Sequence, residues 1–198
     1  MTTFFLVRHG AHALLGRVLV GCSIDVSLDE LGRRQAQALA ERFSRERVDA
    51  VQTSPRRRCR QTALPIAGRI GVPARIVPAV DEIDCGEWSG RTFDELGDDP
   101  RWTQWNASRA TARAPGGESM AEVQLRIVGH LERMQSIHPA GRIVIVSHCD
   151  VIRAALLHCR DEPLDCYGQI SFGPAAVATL ELDAKSRGPI TVEEAIVA

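Results

Sequence analysis

Two short runs that are apolar at nearly every position constrain the fold of this chain more than any other feature. Residues 3–7 read TFFLV, and residues 141–148 read GRIVIVSH. A strand with one wet face would alternate apolar and polar residues, whereas a strand buried on both faces of a sheet is apolar throughout. We therefore expect both runs to lie inside a sheet that is covered on each side.

Amphipathic segments alternate with short strands along most of the sequence. In residues 28–46, Leu28, Leu31, Gln35, Leu39 and Phe43 recur at helical spacing. The same reading predicts further helices over 58–71, 118–137 and 151–159, and further strands over 48–54, 75–77 and 175–182. This alternation indicates a single α/β domain spanning 1–198, a three-layer α/β/α fold with a mostly parallel central sheet.

Residues 84–117 interrupt the periodicity. They contain all three tryptophans, several turn residues and only short helical fragments. A segment of this kind more often covers a site than forms a core layer. We predict that it covers the site and sets substrate choice. For Trp102 and Trp105 we favour packing in a small core over contact with a ligand.

The composition narrows the possible partners. The net charge is −1 with 25% charged residues, which argues against a general nucleic-acid or membrane-surface protein. No apolar run approaches the roughly 20 residues that cross a bilayer. The N-terminus enters a strand-like run without a basic leader or cleavage site, so we predict a soluble, cytoplasmic protein.

Six cysteines are present, and their spacing gives no metal site. None forms C-x-x-C, and none pairs with histidine at the spacing of a structural zinc site. We interpret most of them as small buried apolar side chains. The sequence predicts no bound metal or cofactor.

Polar groups follow three of the predicted strands. They are Arg8-His9, Ser54 with the arginines after it, and Ser147-His148. Ligands of α/β sheets bind beyond the carboxyl ends of the strands, so topology could bring these groups to one edge. Residues 81–90, DEIDCGEWSG, add acidic groups in a loop. Each group alone has an ordinary structural explanation; their combination is what indicates a site.

In this order and on this architecture, the groups resemble the histidine phosphatase superfamily, the phosphoglycerate-mutase-like group. The resemblance covers nearly the whole chain. The matching residues are Arg8-His9-Gly10, then Leu28, Gly32, Gln35 and Ala36, then SPRRRCRQTA from Ser54, then Glu82, Gly86, Trp88 and Gly90, then Gly116–Ser119, and finally SHCDVIRA from Ser147.

The resemblance implies a role for five residues. His9 would be the nucleophile that becomes a phosphohistidine, and Glu82 the acid and base. Arg8, Arg58 and His148 would bind the phosphoryl oxygens. The chemistry is consistent, because a neutral imidazole can attack a phosphomonoester dianion, and guanidinium and imidazolium groups offset the charge of its equatorial oxygens. A carboxyl group can protonate the departing alkoxide and later accept a proton from water.

The chain departs from the family pattern near the phosphate site. Leu15 stands where the family has an asparagine that contacts phosphate, and His12 or a backbone amide could replace it; His12 could equally be a loop histidine. Cys149-Asp150 replaces Gly-Gly. We expect Asp150 to cap the next helix and Cys149 to be a buried, inert thiol rather than one of lowered pKa.

The arginine run departs as well. Arg58 aligns with the family's pocket arginine, whereas Arg56 replaces a leucine and Cys59 an alanine. We assign Arg56, Arg57 and Arg60 to surface or helix-packing roles. The run could also be a nucleic-acid patch, but the near-zero net charge and the lack of interleaved aromatic residues disfavour this reading.

These observations predict a metal-independent phosphatase that hydrolyses small phosphomonoesters through His9. The partner would be a small phosphorylated substrate, with neither nucleic acid nor a membrane. A phosphomutase is the nearest alternative, and a non-catalytic phosphate-binding domain is a more distant one. Whether the chain forms a homodimer is left open.

Overall fold

A six-stranded sheet forms the centre of the protein in a computed structural model that describes residues 1–183 and 187–193. The strands are β1 Thr2–Arg8, β2 Ala50–Thr53, β3 Ala74–Ile76, β4 Arg142–Ser147, β5 Val177–Leu182 and β6 Arg187–Glu193. Their order across the sheet is β3-β2-β4-β1-β5-β6. The first four of these are parallel, and β5 and β6 pair antiparallel. The prediction of a mostly parallel sheet is confirmed.

The sequence pattern did not predict β6. Its sequence, RGPITVE, includes Gly188 and Pro189, which weaken a strand signal because proline cannot donate to the ladder. The strand lies at the edge of the sheet beside β5, and that is where a proline is tolerated.

The described residues also form six α-helices. They are α1 Glu30–Phe43, α2 Arg57–Ile70, α3 Phe93–Gly97, α4 Pro100–Ala107, α5 Met120–Ile137 and α6 Cys149–Cys159. Side chains stabilise the first turns of α1 and α5: Asp29 accepts from the backbone N–H of Gly32, and Ser119 and Glu122 form a capping box before α5. The four long helices predicted from the sequence are confirmed, with ends that differ by up to three residues.

The two faces of the sheet carry separate apolar clusters. Phe5 and Val7 pack with Leu39 and Phe43 of α1 and with α2, whereas Phe4 and Leu6 pack with α5 and α6. Alternate residues of β1 therefore serve opposite layers, which explains why the whole strand is apolar. The layer arrangement α/β/α follows directly from this division.

Leu31 does not join the core as its spacing suggested. It is 42% exposed, and the buried face of α1 instead carries Gly32, Ala36 and Ala40 beside Leu39 and Phe43. Small residues on this face allow α1 to lie close to the chain that leaves β1, which matters for the site described below.

The segment 84–117 folds around its tryptophans. Trp102 and Trp105 stack with ring centroids 5.1 Å apart, and Trp88 meets Trp105 edge-on at 5.6 Å. Trp88 and Trp105 belong to the α5–α6 side of the core. The preference for packing over ligand contact is thus confirmed, although the cluster joins the main core. In the described ranges, no helix is long and apolar enough to span a membrane.

Candidate active site

The carboxyl ends of three neighbouring strands bring the sequence-predicted residues together. Arg8 pairs with Ser147, and Thr53 pairs with Val146 in the same parallel sheet. His9, Ser54 and His148 therefore leave the sheet at one edge, as the general rule for α/β sheets predicts. The ring centroids of His9 and His148 are 5.3 Å apart.

His9 is buried and presents one defined nitrogen. Its Nδ1 lies 2.8 Å from the carbonyl oxygen of Gly10. Because a carbonyl oxygen only accepts, Nδ1 carries the proton and Nε2 keeps its lone pair. Burial, and then the charge of Arg58, hold the His9 pKa well below its usual value. The imidazole is therefore neutral over a wide pH range, as a nucleophile requires.

The loop after His9 is fixed by hydrogen bonds from the adjacent helices. The Gly10 N–H donates to Thr62 Oγ1 at 3.0 Å, and the Ala11 N–H donates to Gln35 Oε1 at 2.8 Å. A Cβ atom on Gly32 would lie 2.1 Å from the Ala11 carbonyl oxygen. Gln35 and Gly32 of α1 and Thr62 of α2 therefore hold the loop after His9 in place.

Arg58 and His148 form a buried polar pair. Arg58 Nη2 lies 3.1 Å from His148 Nδ1 and donates to the carbonyl oxygen of Gly21 at 2.9 Å. Both side chains are buried, Arg58 at 1% and His148 at 0% exposure. Burial and the nearby Arg58 charge lower the His148 pKa well below its usual value. The ring is therefore neutral in this structure, whereas the sequence led us to expect an imidazolium.

Glu82 completes the polar group. Its Oε2 lies 3.3 Å from His148 Nδ1 and 3.7 Å from Arg58 Nη2. Burial, followed by the charge of Asp150, raises the pKa of Glu82 to about 7. The carboxyl group is thus poised to hold or release a proton near neutral pH, as a general acid and base must.

All five predicted site residues line or adjoin one cavity of about 320 Å³. Arg8, His9, Arg58 and Glu82 are in its wall, and His148 lies behind Arg58 and Glu82. The rest of the wall is largely apolar; it is formed by Leu15, Gly16, Val18, Leu19, Val20, Gly21, Ile83, Cys85, Phe93, Cys149 and Asp150, with His12.

The loop 15–21 forms a large part of the apolar cavity wall, through Leu15, Gly16, Val18, Leu19, Val20 and Gly21. Within 84–117, only Cys85 and Phe93 are in the lining. That the longer segment sets substrate choice stays a prediction, and the loop 15–21 is a contributor that sequence reasoning missed. In the described part of the chain, no three His, Cys, Asp or Glu side chains are grouped as metal ligands.

His12 lies beside His9. Its ring centroid is 5.3 Å from that of His9, and its buried Nδ1 has no hydrogen-bond partner among the residues that the structure describes. Burial and the charges of Arg58 and Arg8 lower its pKa to about 4. A neutral, unpartnered imidazole in the cavity wall is consistent with His12 replacing the missing asparagine; that role stays a prediction.

One of the two expectations at the start of α6 is wrong. His148, not Asp150, occupies the N-cap, and no side chain caps this helix. Asp150 lies within the first turn, where it pairs with Arg109 at 3.8 Å and contacts the Tyr167 hydroxyl. Desolvation, and then Asp150, raise the pKa of the Cys149 thiol to about 11, which supports an inert thiol, although the residue is only partly buried and lines the cavity.

Arg56 has neither the surface role nor the helix-packing role that we considered for it. Its guanidinium binds both carboxylate oxygens of Asp81, at 2.9 and 2.7 Å. Asp81 in turn accepts from Ser54 Oγ at 2.8 Å. The signal in the sequence for this ion pair was Asp81, the acidic residue next to Glu82. The pair could not be predicted because no periodic pattern links two residues that are 25 positions apart. Arg57 is half-exposed and pairs with Asp25, as a surface role implies.

Comparison with known proteins adds an independent line of observation. A phosphoserine phosphatase 1 of Hydrogenobacter thermophilus is 34% identical over 152 residues, 76% of this chain and 71% of that protein. A probable phosphoglycerate mutase GpmB of Cronobacter sakazakii is 31% identical over 150 residues, 75% of this chain and 70% of that protein.

A solved structure agrees over almost the full length. Phosphoserine phosphatase from Entamoeba histolytica, in complex with 3-phosphoglyceric acid, superposes with a TM-score of 0.83 at 26% identity, covering 96% of this chain and 95% of that one. The sequence profile of the histidine phosphatase superfamily (branch 1) matches residues 4–193. The chain therefore belongs to the histidine phosphatase superfamily, branch 1.

Proposed function

We propose that this protein is a metal-independent phosphatase that hydrolyses small phosphomonoesters through a phosphohistidine on His9. One observation carries the proposal: a neutral, buried His9 with a fixed Nδ1–H tautomer shares a cavity with two guanidinium groups and a carboxyl group of raised pKa. We treat residues 1–198 as one catalytic domain in the cytoplasm.

The first step would transfer the phosphoryl group to His9. Nε2 attacks phosphorus, the P–N bond forms and the ester P–O bond breaks, while Glu82 gives its proton to the leaving alkoxide. Arg8 and Arg58 offset charge on the equatorial oxygens as the group passes. Nδ1–H stays on the ring and donates to Gly10, which supports the positive charge of the phosphorylated imidazole.

The second step would return the enzyme to its starting state. Glu82, now a carboxylate, accepts a proton from water, and the resulting oxygen nucleophile attacks phosphorus. The P–N bond breaks, inorganic phosphate leaves, and His9 and Glu82 regain their original protonation. The charge that a metal ion would otherwise neutralise is met by the arginine side chains of the cavity.

The direct test is turnover of an aryl phosphate by the purified protein in EDTA. We expect linear release of inorganic phosphate that does not depend on added divalent metal. Loss of activity in EDTA that magnesium restores would contradict metal independence. Absence of turnover with and without metal would favour the non-catalytic phosphate-binding alternative.

A phosphomutase is the second candidate, because one relative carries a mutase name. The two activities differ in what receives the phosphoryl group: water, or a second hydroxyl of the substrate. Supplied with 2- or 3-phosphoglycerate, a phosphatase accumulates free phosphate, whereas a mutase accumulates the isomer. We expect free phosphate, and a dominant isomer product would reverse the choice.

Glu82→Gln tests the proton donor. An alkoxide of high pKa needs protonation to leave and an aryl oxide does not, so we expect kcat/KM to fall about 10²–10³-fold for alkyl phosphates and far less for aryl phosphates. Since the Glu82 pKa is raised to about 7, the wild-type rate with alkyl phosphates should also fall as the pH rises above 7. The Glu82→Gln variant should not show this fall, because its amide does not titrate.

The matched control is Glu87→Gln, a glutamate that is 63% exposed on the turn five residues on. We expect its rates and pH profile to equal those of the wild type. Equal losses for alkyl and aryl substrates in Glu82→Gln would remove Glu82 from the acid role.

A further inference from the structure

Ser54, which is buried, and Asp81, which is partly buried, are polar groups that the mechanism above leaves unused. Ser54 follows β2 directly, and its backbone N–H donates to the carbonyl oxygen of Val146 in β4. This register places its hydroxyl against the residue that follows β4: Ser54 Oγ lies 2.8 Å from His148 Nε2. Asp81 Oδ1 lies 2.8 Å from Ser54 Oγ and 3.8 Å from His148 Nε2, so the hydroxyl bridges the two side chains.

The direction of each hydrogen bond follows from the donors present. Asp81 Oδ1 also accepts from Arg56 Nε at 2.9 Å and from the Glu82 N–H at 2.8 Å, while Oδ2 accepts from Arg56 Nη2 at 2.7 Å. A carboxylate held by these N–H groups is an acceptor, so the single Ser54 hydroxyl proton points at Asp81. The oxygen of Ser54 must then accept from His148 Nε2–H.

The contacts of Cys59 also indicate that His148 Nε2 carries the proton. Cys59 Sγ lies 3.3 Å from His148 Nε2, and its thiol donates to the Ser147 carbonyl oxygen at 3.5 Å. The hydroxyl of Ser54 and the thiol of Cys59 therefore donate to other acceptors, and neither donates to Nε2. Nε2 carries the ring proton, and Nδ1 faces Arg58 and Glu82 on the cavity side.

We propose that Ser54 and Asp81 are positioning residues that fix the Nε2–H tautomer of His148 and support its conversion to an imidazolium when a phosphoryl group enters the cavity. A neutral Nδ1 would repel a phosphoryl oxygen, whereas a protonated Nδ1 donates to it. The carboxylate of Asp81, two hydrogen bonds away, stabilises the positive ring in the way that a buried aspartate supports a catalytic histidine.

Arg56 has a place in this arrangement. It occupies the position where the family pattern has leucine, and it clamps both oxygens of Asp81 so that one of them faces Ser54. The Asp81 carboxylate is therefore oriented before any ligand arrives. The inference rests on the proposed function only in naming a phosphoryl group as the ligand.

Several charged or titratable groups lie close to His148 and affect its pKa. They are Arg58 and the Cys59 thiol from α2, Glu82 and Asp81 from the loop after β3, His9 after β1, Arg126 from α5 and Arg56. The arginines oppose protonation and the two carboxyl groups favour it. Replacing one carboxylate by a neutral amide should therefore lower the His148 pKa.

The test compares Asp81→Asn and Ser54→Ala with Asp25→Asn, a half-exposed aspartate that pairs with Arg57 of the same arginine run. Nitrogen NMR of histidine-labelled protein reports which ring nitrogen of His148 carries the proton, with and without saturating inorganic phosphate. Calorimetry gives the phosphate Kd for each variant. His148→Gln identifies the signal.

In the free wild type we expect the Nε2–H tautomer, and with phosphate a doubly protonated ring. In Asp81→Asn and Ser54→Ala, we expect the His148 pKa with phosphate bound to fall by about one unit and phosphate affinity by about tenfold. Asp25→Asn should match the wild type in both. Equality of Asp81→Asn with Asp25→Asn, or an Nδ1–H tautomer in the free wild type, would overturn the proposal.

This readout is separate from the proposed function. A wild type with no phosphatase turnover would contradict that function, while the tautomer of His148 in the free protein and its change in Ser54→Ala would still decide the role of Ser54 and Asp81. A merely structural role would lower thermal stability in these variants without changing the tautomer or the His148 pKa.

Discussion

His9→Ala should abolish turnover. We expect kcat to fall by at least about 10⁴-fold on every substrate, because removal of a covalent nucleophile leaves only binding and charge stabilisation. Arg8, Arg58 and His148 remain in place, so the Kd for inorganic phosphate should change by less than about tenfold. A rapid-quench experiment with ³²P-labelled substrate should trap an acid-labile, alkali-stable phosphoprotein in the wild type and none in the variant.

The control for this experiment is His138→Ala. His138 follows α5 and its carbonyl oxygen accepts from Thr2 Oγ1, which places it at the amino-terminal edge of the sheet, opposite the site. Its activity and phosphoprotein yield should equal those of the wild type. A His9→Ala protein that turns over substrate at the wild-type rate, or a phosphoprotein that forms without His9, would contradict the mechanism.

Arg58→Met should cause the second largest loss. Methionine fills much of the arginine volume but removes a buried charge that is 3.7 Å from Glu82 and beside His148. Loss of one preorganised donor to a developing anion costs about 10²–10³-fold in rate. We expect a loss of that size in kcat/KM at pH 7, measured with an aryl phosphate.

The pH dependence of this variant provides a sharper test. The Arg58 charge is the second largest cause that lowers the His9 pKa, so its removal raises that pKa toward the usual value near 6.5. More His9 is then protonated in acid, and a protonated imidazole cannot attack. The rate of Arg58→Met should therefore fall further between pH 7 and pH 5, whereas the wild type should lose little through His9.

Arg57→Met is the matched control for this position. Arg57 precedes Arg58 in α2, is half-exposed and pairs with Asp25 at 3.3 Å. Because an exposed ion pair contributes little, we expect wild-type kinetics and stability. A loss in Arg57→Met comparable with that in Arg58→Met would show that the arginine run, rather than the buried guanidinium, supports activity.

The sheet and its long helices could be predicted from sequence because burial dictates a local pattern. β1 and β4 are apolar throughout, since each face meets a different helix layer, and that requirement is visible in four or five residues. β6 escaped prediction because an edge strand needs apolar residues on fewer positions and tolerates Pro189. Leu31 was misplaced because spacing alone does not say where a neighbouring element comes closest.

The sequence by itself determined the α/β architecture, and it indicated the side chains that we propose carry the chemistry: His9, Arg8, Arg58, Glu82 and His148 stand in motifs whose order a single chain can display. Only the tertiary structure decided the protonation of these groups and their supports. The Ser54–Asp81–Arg56 chain behind His148 joins residues from separate elements, as does the charge of Asp150 near Glu82. Burial and electrostatic interaction depend on distance in space, and a linear pattern does not contain that distance.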